Sequence, residues 1–207
     1  MALTWITGGL LAALVGTRAN AIYVEQRAKK RNRFYQSHQR PIITIVVPGI
    51  TGVKLSHTLQ REVLWGNASA LLKRPKHFDT LKDDYSHVLP DGSLQTFKII
   101  PHILELMVYQ ELTLSLKYGC SLSLGKDLFY LDYDWRQDYR HLAQVLDNKI
   151  KGIQAEWGAD IAIALIGQSM ANLGIKYYLR FNQNAKHANI IRWYTFGPPW
   201  QGSFNSL

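Results

Sequence analysis

Hydrophobic residues in this chain gather into short runs that are separated by longer amphipathic stretches. Residues 42–49 are an uncharged, β-branched run that ends in a Pro-Gly turn signal, which predicts a buried strand, and further apolar runs predict strands over residues 127–135, 160–166 and 190–196. Apolar residues recur at a helical spacing elsewhere, which predicts helices over residues 103–117, 139–157 and 170–181. Strands that alternate with helices predict an α/β fold, a mostly parallel sheet flanked by helices on both faces.

Proline and glycine mark the predicted boundaries. Arg40-Pro41 separates an N-terminal arm, residues 1–40, from a domain over residues 41–207. Residues 51–95 are mixed and polar, which predicts loops and short helices. Within them, Asp91-Gly92 predicts a hairpin turn that leads into the sequence LQTFKII.

The N-terminal arm begins with an apolar run and continues into a basic one. Residues 2–16 carry no charge, whereas seven Lys and Arg stand against one Glu between residues 17 and 40. Residues 2–24 reach the ~20 residues that a bilayer span requires. We therefore expect a weak membrane anchor or interfacial helix that favours anionic lipid and keeps its basic side cytoplasmic. A buried or frayed N-terminal helix is the alternative.

Composition and charge narrow the functional classes. Hydrophobic residues make up 47% of the 207 and charged residues 19%, which indicates a folded globular chain. The net charge of +9 is concentrated in the arm and in residues 170–207, which hold four Lys and Arg and no acid. No nucleic-acid-binding module accompanies this charge, so we expect no nucleic-acid partner.

Cys120 is the only cysteine, which excludes an intrachain disulfide and a thiolate zinc site. We expect this side chain to be buried, as free cysteines often are. The sequence implies no metal and no organic cofactor.

One short motif carries chemistry. Residues 161–174 read IAIALIGQSMANLG, in which Gly167, Ser169 and Ala171 stand at alternate positions between a predicted strand and a predicted helix. The pattern resembles the G-x-S-x-G nucleophile elbow of α/β-hydrolases, a tight turn that exposes a serine hydroxyl. The resemblance implies that Ser169 is a nucleophile and that the Met170 N–H is one oxyanion donor.

Four segments together resemble the lecithin:cholesterol acyltransferase family, which includes phospholipid:diacylglycerol acyltransferases. They stand in the family's order and are VVPGITGVKL with a following LWGN (residues 46–67), YDWR (133–136), GQSMANLG (167–174) and FGPPWQGS (196–203). The family commonly has GHSMGG or GHSLGG in the third segment, so Gln168, Ala171 and Asn172 depart from it. Asn172 is the largest departure, because the elbow requires small residues where strand and helix approach each other closely.

The resemblance implies an α/β-hydrolase fold that acts on a lipid acyl ester, either a phospholipid or a neutral lipid. By analogy with lipases, Ile50 after the Pro-Gly turn is the second backbone oxyanion donor. Trp200 is expected to line the entrance of the acyl pocket.

The remaining members of a catalytic triad are missing after the serine. In α/β-hydrolases the order is Ser, then acid, then His, but no Asp or Glu follows Ser169 and the only later histidine is His187. His187 is predicted to lie at the opposite end of the sheet, and Asp134 and Arg136 precede the serine, so we expect them to form a structural lock. We therefore expect the hydrolase domain to be incomplete at the C-terminus, truncated before its catalytic Asp and His.

Three functions are compatible with these observations. The first is a serine acyltransferase or lipase like those of the lecithin:cholesterol acyltransferase family. The second is a catalytically inactive fragment or pseudoenzyme that associates with a membrane or with a complementary C-terminal chain. The third is a carboxylesterase that acts on small soluble esters.

Overall fold

The computed structural model describes residues 42–67, 70, 76, 86–100 and 104–202. The predicted arm, with its apolar residues 2–24, lies outside them, and no described helix is long and apolar enough to cross a membrane. In chain order the elements are β1 (Ile42–Val47), β2 (Val53–His57), β3 (Val63–Trp65), β4 (Val88–Ser93), β5 (Thr96–Ile100), β6 (Leu104–Met107), α1 (Gln110–Gly119), β7 (Leu128–Tyr130), α2 (Tyr139–Trp157), β8 (Ala162–Gln168), α3 (Ala171–Phe181), a 3₁₀ helix (Gln183–His187) and β9 (Ile190–Phe196).

The described residues form two compact units, one of residues 42–94 with 124–202 and one of residues 95–123. A four-stranded sheet in the order β7-β1-β8-β9 forms the centre of the larger unit, and all three pairings are parallel. This confirms the predicted α/β class. Strands β1 and β8 are the two central strands, and both are buried along nearly their whole length. A parallel sheet that is covered on both faces requires apolar strands, which explains why these two are uncharged.

Strand β7 is shorter than predicted. The expectation of a strand over residues 127–135 is wrong beyond Tyr130, although the Leu131 N–H still donates to Val46 O at 2.8 Å. Beyond that point the chain leaves the sheet because Asp134, Trp135 and Arg136 bond to partners outside it, as described below.

Helices α2 and α3 connect β7 to β8 and β8 to β9, and they pack against each other. Helix α2 begins where predicted because the Asp138 carboxylate accepts the N–H groups of Arg140 and His141. Both crossovers run in the same direction across the sheet, so right-handed connections place the two helices on one face. The described helices of the larger unit thus lie on one face, and helices on the other face stay a prediction.

The described residues between 53 and 93 form an antiparallel sheet in the order β3-β2-β4, where loops and short helices were expected. Asp91 and Gly92 lie inside β4, so the predicted hairpin turn is wrong. The pair stands opposite an irregularity in the pairing with β2, where Gly92 takes a φ of +78° and Asp91 accepts a hydrogen bond from Ser56 Oγ at 2.9 Å. The Asp-Gly dipeptide, which commonly forms turns, here forms a bulge within a strand.

The smaller unit begins with the antiparallel pair of β5 and β6 and continues into α1. The predicted helix over residues 103–117 is therefore wrong at its start. Residues 104–107 form a strand. At the start of the helix, the main-chain N–H groups of Val108, Tyr109 and Gln110 all donate to Gln95 O. Cys120 follows α1 and is exposed, which corrects the expectation that it is buried.

Candidate active site

Ser169 lies at the turn between β8 and α3, at the carboxyl end of the parallel sheet. Its φ is +51°, in the left-handed region that residues with a Cβ rarely occupy. Its N–H donates to Phe196 O at 2.7 Å, which ties the turn to the end of β9. The side chain is partly exposed and its hydroxyl forms no hydrogen bond with the described residues. The turn therefore presents an unbonded hydroxyl group at the sheet edge.

Two glycines allow neighbouring groups to approach this turn. A Cβ added at Gly167 would overlap Asn172 Oδ1 and lie 2.7 Å from Ile175 Cδ1. A Cβ added at Gly49 would lie 3.0 Å from both Ser169 Cβ and Gln168 O. Gly167 therefore allows α3 to pack close to β8, and Gly49 allows the loop after β1 to pack against the serine.

Asn172 is fully buried in the first turn of α3. Its Nδ2 donates to Gly167 O at 3.0 Å and to Ser169 O at 3.1 Å, while its Oδ1 accepts the indole N–H of Trp193 at 3.1 Å. Gly167 leaves room for this larger side chain, and every polar atom of its amide has a partner. The sequence did not predict this role of Asn172. Two of its partners are main-chain carbonyl oxygens, which come close to one another only in the folded turn.

The two predicted oxyanion donors lie on either side of the serine. Met170 is the residue before α3, and Ile50 follows Gly49 in the turn that contacts Ser169. Among the described residues, no protein acceptor bonds to the N–H of either one. Gln168 Oε1 accepts the Gly49 N–H at 3.4 Å, a long bond that links the two segments. The two predicted donors therefore lie on segments that are linked next to the serine.

The YDWR block holds the loop that carries Gly49 and Ile50. Tyr133 is buried, and its hydroxyl donates to Pro48 O at 2.6 Å. The indole N–H of Trp135 donates to Val53 O at 2.9 Å, on the other side of the same loop. The block therefore acts at both ends of the segment from Pro48 to Val53, a role that the sequence did not reveal.

Asp134 and Arg136 form the structural lock that was predicted. Their side chains are only 2% and 6% exposed and share two bonds, from Arg136 Nε at 2.8 Å and from Nη2 at 2.6 Å. Burial raises the pKa of Asp134, but the hydrogen bonds and charge of Arg136 outweigh it and leave the pKa below its usual value. With both oxygens engaged, Asp134 is a structural ion-pair partner.

The described histidines do not approach the serine. His187 ends the 3₁₀ helix before β9 and is exposed, so it lies at the opposite edge of the sheet from Ser169, as predicted. His57 and His87 stack on each other at 5.8 Å in the small antiparallel sheet, and His141 lies in the first turn of α2. Within the described ranges, then, no imidazole or carboxylate is bonded to Ser169 Oγ.

Large apolar side chains are exposed near the serine. Ile50 is 53% exposed, Phe196 54% and Trp200 46%. Trp200 packs edge-on against Trp193 with ring centroids 5.9 Å apart, and Lys176 Nζ lies 5.0 Å from the Trp200 ring. A rim of apolar side chains therefore borders the turn, and one cation lies over an indole ring of that rim.

The described part of the chain brings together no group of three His, Cys, Asp or Glu side chains that could hold a metal ion. No model of a known protein family matches the chain, and no curated protein sequence matches it significantly. Family membership therefore stays a prediction.

Proposed function

We propose that the chain is a serine acyl-transfer protein of the α/β-hydrolase type, similar to the lecithin:cholesterol acyltransferase family. The observation that carries the proposal is the left-handed φ of Ser169 at a strand-to-helix turn of a parallel sheet. Backbone strain at a partly exposed serine is uncommon, and α/β-hydrolases use it to present their nucleophile. The Ile50 loop follows β1, which is a direct neighbour of the strand that ends in Ser169.

In the proposed reaction Ser169 Oγ attacks the carbonyl carbon of a lipid acyl ester. The Met170 and Ile50 N–H groups stabilise the oxyanion that develops. The bond to the leaving alcohol then breaks, and the alcohol takes the proton that the serine has released to a base, a role that a histidine has in α/β-hydrolases and that no described residue fills. A lipid alcohol or water attacks the acyl-enzyme and regenerates the serine. No metal or organic cofactor takes part.

The rim of Ile50, Phe196 and Trp200 favours a long acyl chain over a small ester. Burial of apolar surface contributes about 0.8 kcal/mol per CH₂ group, so selectivity for long chains is the expected consequence. Hydrolysis of p-nitrophenyl esters of increasing acyl length tests this point. A preference for acetate would support a carboxylesterase for soluble esters.

A serine-reactive fluorophosphonate probe tests the nucleophile. We expect slow labelling of the 207-residue chain, because no described base contacts Ser169 Oγ, and we expect it to disappear in Ser169→Ala and to persist in Ser121→Ala. Ser121 is a matched control because it is exposed and also has a positive φ of +60°, but does not lie in an elbow. Labelling that survives Ser169→Ala contradicts the proposal.

The alternative is a pseudoenzyme, and one observation favours it: no described imidazole contacts Ser169 Oγ. The same probe separates the two readings. An intact enzyme labels at Ser169. A pseudoenzyme does not label, alone or in the presence of vesicles of phosphatidylcholine and phosphatidylserine.

A further inference from the structure

The buried amide of Asn172 links three segments that meet at the candidate nucleophile. Its Nδ2 bonds to a carbonyl on each side of Gln168, Gly167 O and Ser169 O, and its Oδ1 bonds to Trp193 in the middle of β9. Only one orientation of the amide satisfies these bonds, because the reversed amide would place its oxygen against two carbonyl oxygens. The network therefore depends on an asparagine at this position.

This network complements the backbone bonds of the turn. The Asn172 N–H donates to Ser169 O at 3.1 Å, and the Ser169 N–H donates to Phe196 O. The side chain of Asn172 therefore reinforces a conformation that the main-chain bonds of Ser169 also hold. A left-handed φ at a non-glycine residue persists only where surrounding contacts over-determine it.

We infer that Asn172 is a positioning residue, whose amide holds Ser169 in its left-handed conformation and couples the nucleophile to β9 through Trp193. The Asn172 side chain acts on the serine through the main chain. Its kinetic consequence rests on the proposed function, whereas its effect on the turn does not.

The test compares Asn172→Ala with the wild-type 207-residue chain. The alanine variant keeps the helix and the main-chain N–H but loses all three side-chain bonds. Asn189→Ala is the matched control, because Asn189 Nδ2 also donates to a carbonyl, Asp160 O at 2.6 Å, but at the far edge of the sheet. Trp193→Phe is a second variant, which removes the indole N–H together with part of the ring that packs against Trp200.

Two readouts are used. The first is the kinetics of fluorophosphonate labelling, which gives the maximal labelling rate and the probe's binding constant separately. The second is the rate of hydrogen exchange at the Ser169 amide. A misplacement of about 1 Å costs about 100-fold in reactivity, so we expect the maximal rate in Asn172→Ala to fall at least about tenfold with unchanged probe binding. Exchange at Ser169 should accelerate about tenfold as well. Trp193→Phe should show a smaller change in the same direction, and Asn189→Ala none.

The outcomes distinguish this inference from the proposed function. If the wild-type chain is not labelled, the proposed function fails and amide exchange alone decides the role of Asn172. If the wild type and Asn172→Ala label equally fast, or if their Ser169 amides exchange equally fast, the inference is overturned. Should Asn172→Ala not fold, the same comparison with Trp193→Phe decides, and an unchanged Ser169 amide overturns the coupling to β9.

Discussion

Ser169 is one of four non-glycine residues with a positive φ among the described residues, and it is the one that stands at a strand-to-helix turn. A left-handed φ at a residue with a Cβ costs roughly 1–2 kcal/mol, and glycine avoids this cost. The protein nevertheless places a serine there, with Gly167 and Gly49 on either side giving room to its neighbours. Strain at this position is consistent with a functional demand on the hydroxyl.

Replacement of Ser169 by glycine should therefore stabilise the protein. We expect the free energy of unfolding of Ser169→Gly to exceed that of Ser169→Ala by about 1 kcal/mol, because both lose the hydroxyl but only glycine relieves the strain. Urea denaturation followed by tryptophan fluorescence measures the difference. Equal stability of the two variants would show that the turn imposes no strain.

A second prediction concerns the ion pair of Asp134 and Arg136. Because Arg136 holds the pKa of Asp134 below its usual value of 3.8, the carboxylate stabilises the fold above that pH. This contribution is lost as the pH falls through the lowered, folded-state pKa. Asp134→Asn should cost about 3 kcal/mol at neutral pH, since it removes the buried carboxylate that pairs with the Arg136 guanidinium.

The control for this prediction is Asp138→Asn. Asp138 also forms an ion pair, with Arg140, but these side chains are 52% and 76% exposed. Asparagine can still cap α2, so only an exposed pair is lost and we expect little change in stability. Acid titration of unfolding at several urea concentrations measures both variants. An Asp134→Asn curve that parallels the wild type below pH 4 would contradict the role of the carboxylate.

Among the secondary-structure elements, α2 and β9 could be predicted to the residue and the segment from 88 to 107 could not. Asp138 is an N-cap, and Leu142, Leu146, Ile150 and Ile153 form one buried stripe, so local signals agree with the fold over α2. Strand β4 forms because it pairs with β2, which is distant in sequence, and apolar spacing alone cannot distinguish strand β6 from the start of a helix.

The same contrast holds within the candidate site. Ser169 was predictable because its motif is local: a strand, a glycine and a helix start within a few residues. The bond from Tyr133 to Pro48 spans 85 residues and that from Trp193 to Asn172 spans 21, and neither leaves a pattern in the sequence. The supporting contacts of the site are therefore the part that only the structure reveals.

The contact between α2 and α3 gives a prediction that reverses the usual effect of an alanine in a helix. A Cβ at Gly174 would lie 2.7 Å from Leu142 Cδ2, whereas a Cβ at Gly152 would meet nothing within 4 Å. We expect Gly174→Ala to destabilise the fold by about 1–2 kcal/mol through overpacking. Gly152→Ala should stabilise it by up to about 1 kcal/mol through helix propensity. Urea unfolding of both variants checks the pair, and stabilisation by both would show that the helices can separate without cost.

At the level of the chain as a whole, charge and apolar surface meet on β9. Within the described part, β9 pairs only with β8, and Tyr194 and Phe196 are more than half exposed. An exposed strand edge with aromatic side chains favours pairing with a second copy. The Lys and Arg residues of α3, the 3₁₀ helix and β9 are also exposed, so two copies that meet here repel each other. These two effects oppose one another.

Self-association should therefore be weak at low salt and strengthen as salt is added, because at 1 M the Debye length falls to about 3 Å while apolar burial is retained. Tyr194→Lys should reduce it at every salt concentration, since it places a charge on the free edge. Leu59→Lys is the control, because Leu59 is 78% exposed but lies in the turn after β2. Sedimentation velocity over a range of protein and salt concentrations measures the association. A wild-type chain that stays monomeric at high salt, or a Leu59→Lys variant that behaves like Tyr194→Lys, would remove β9 as the associating surface.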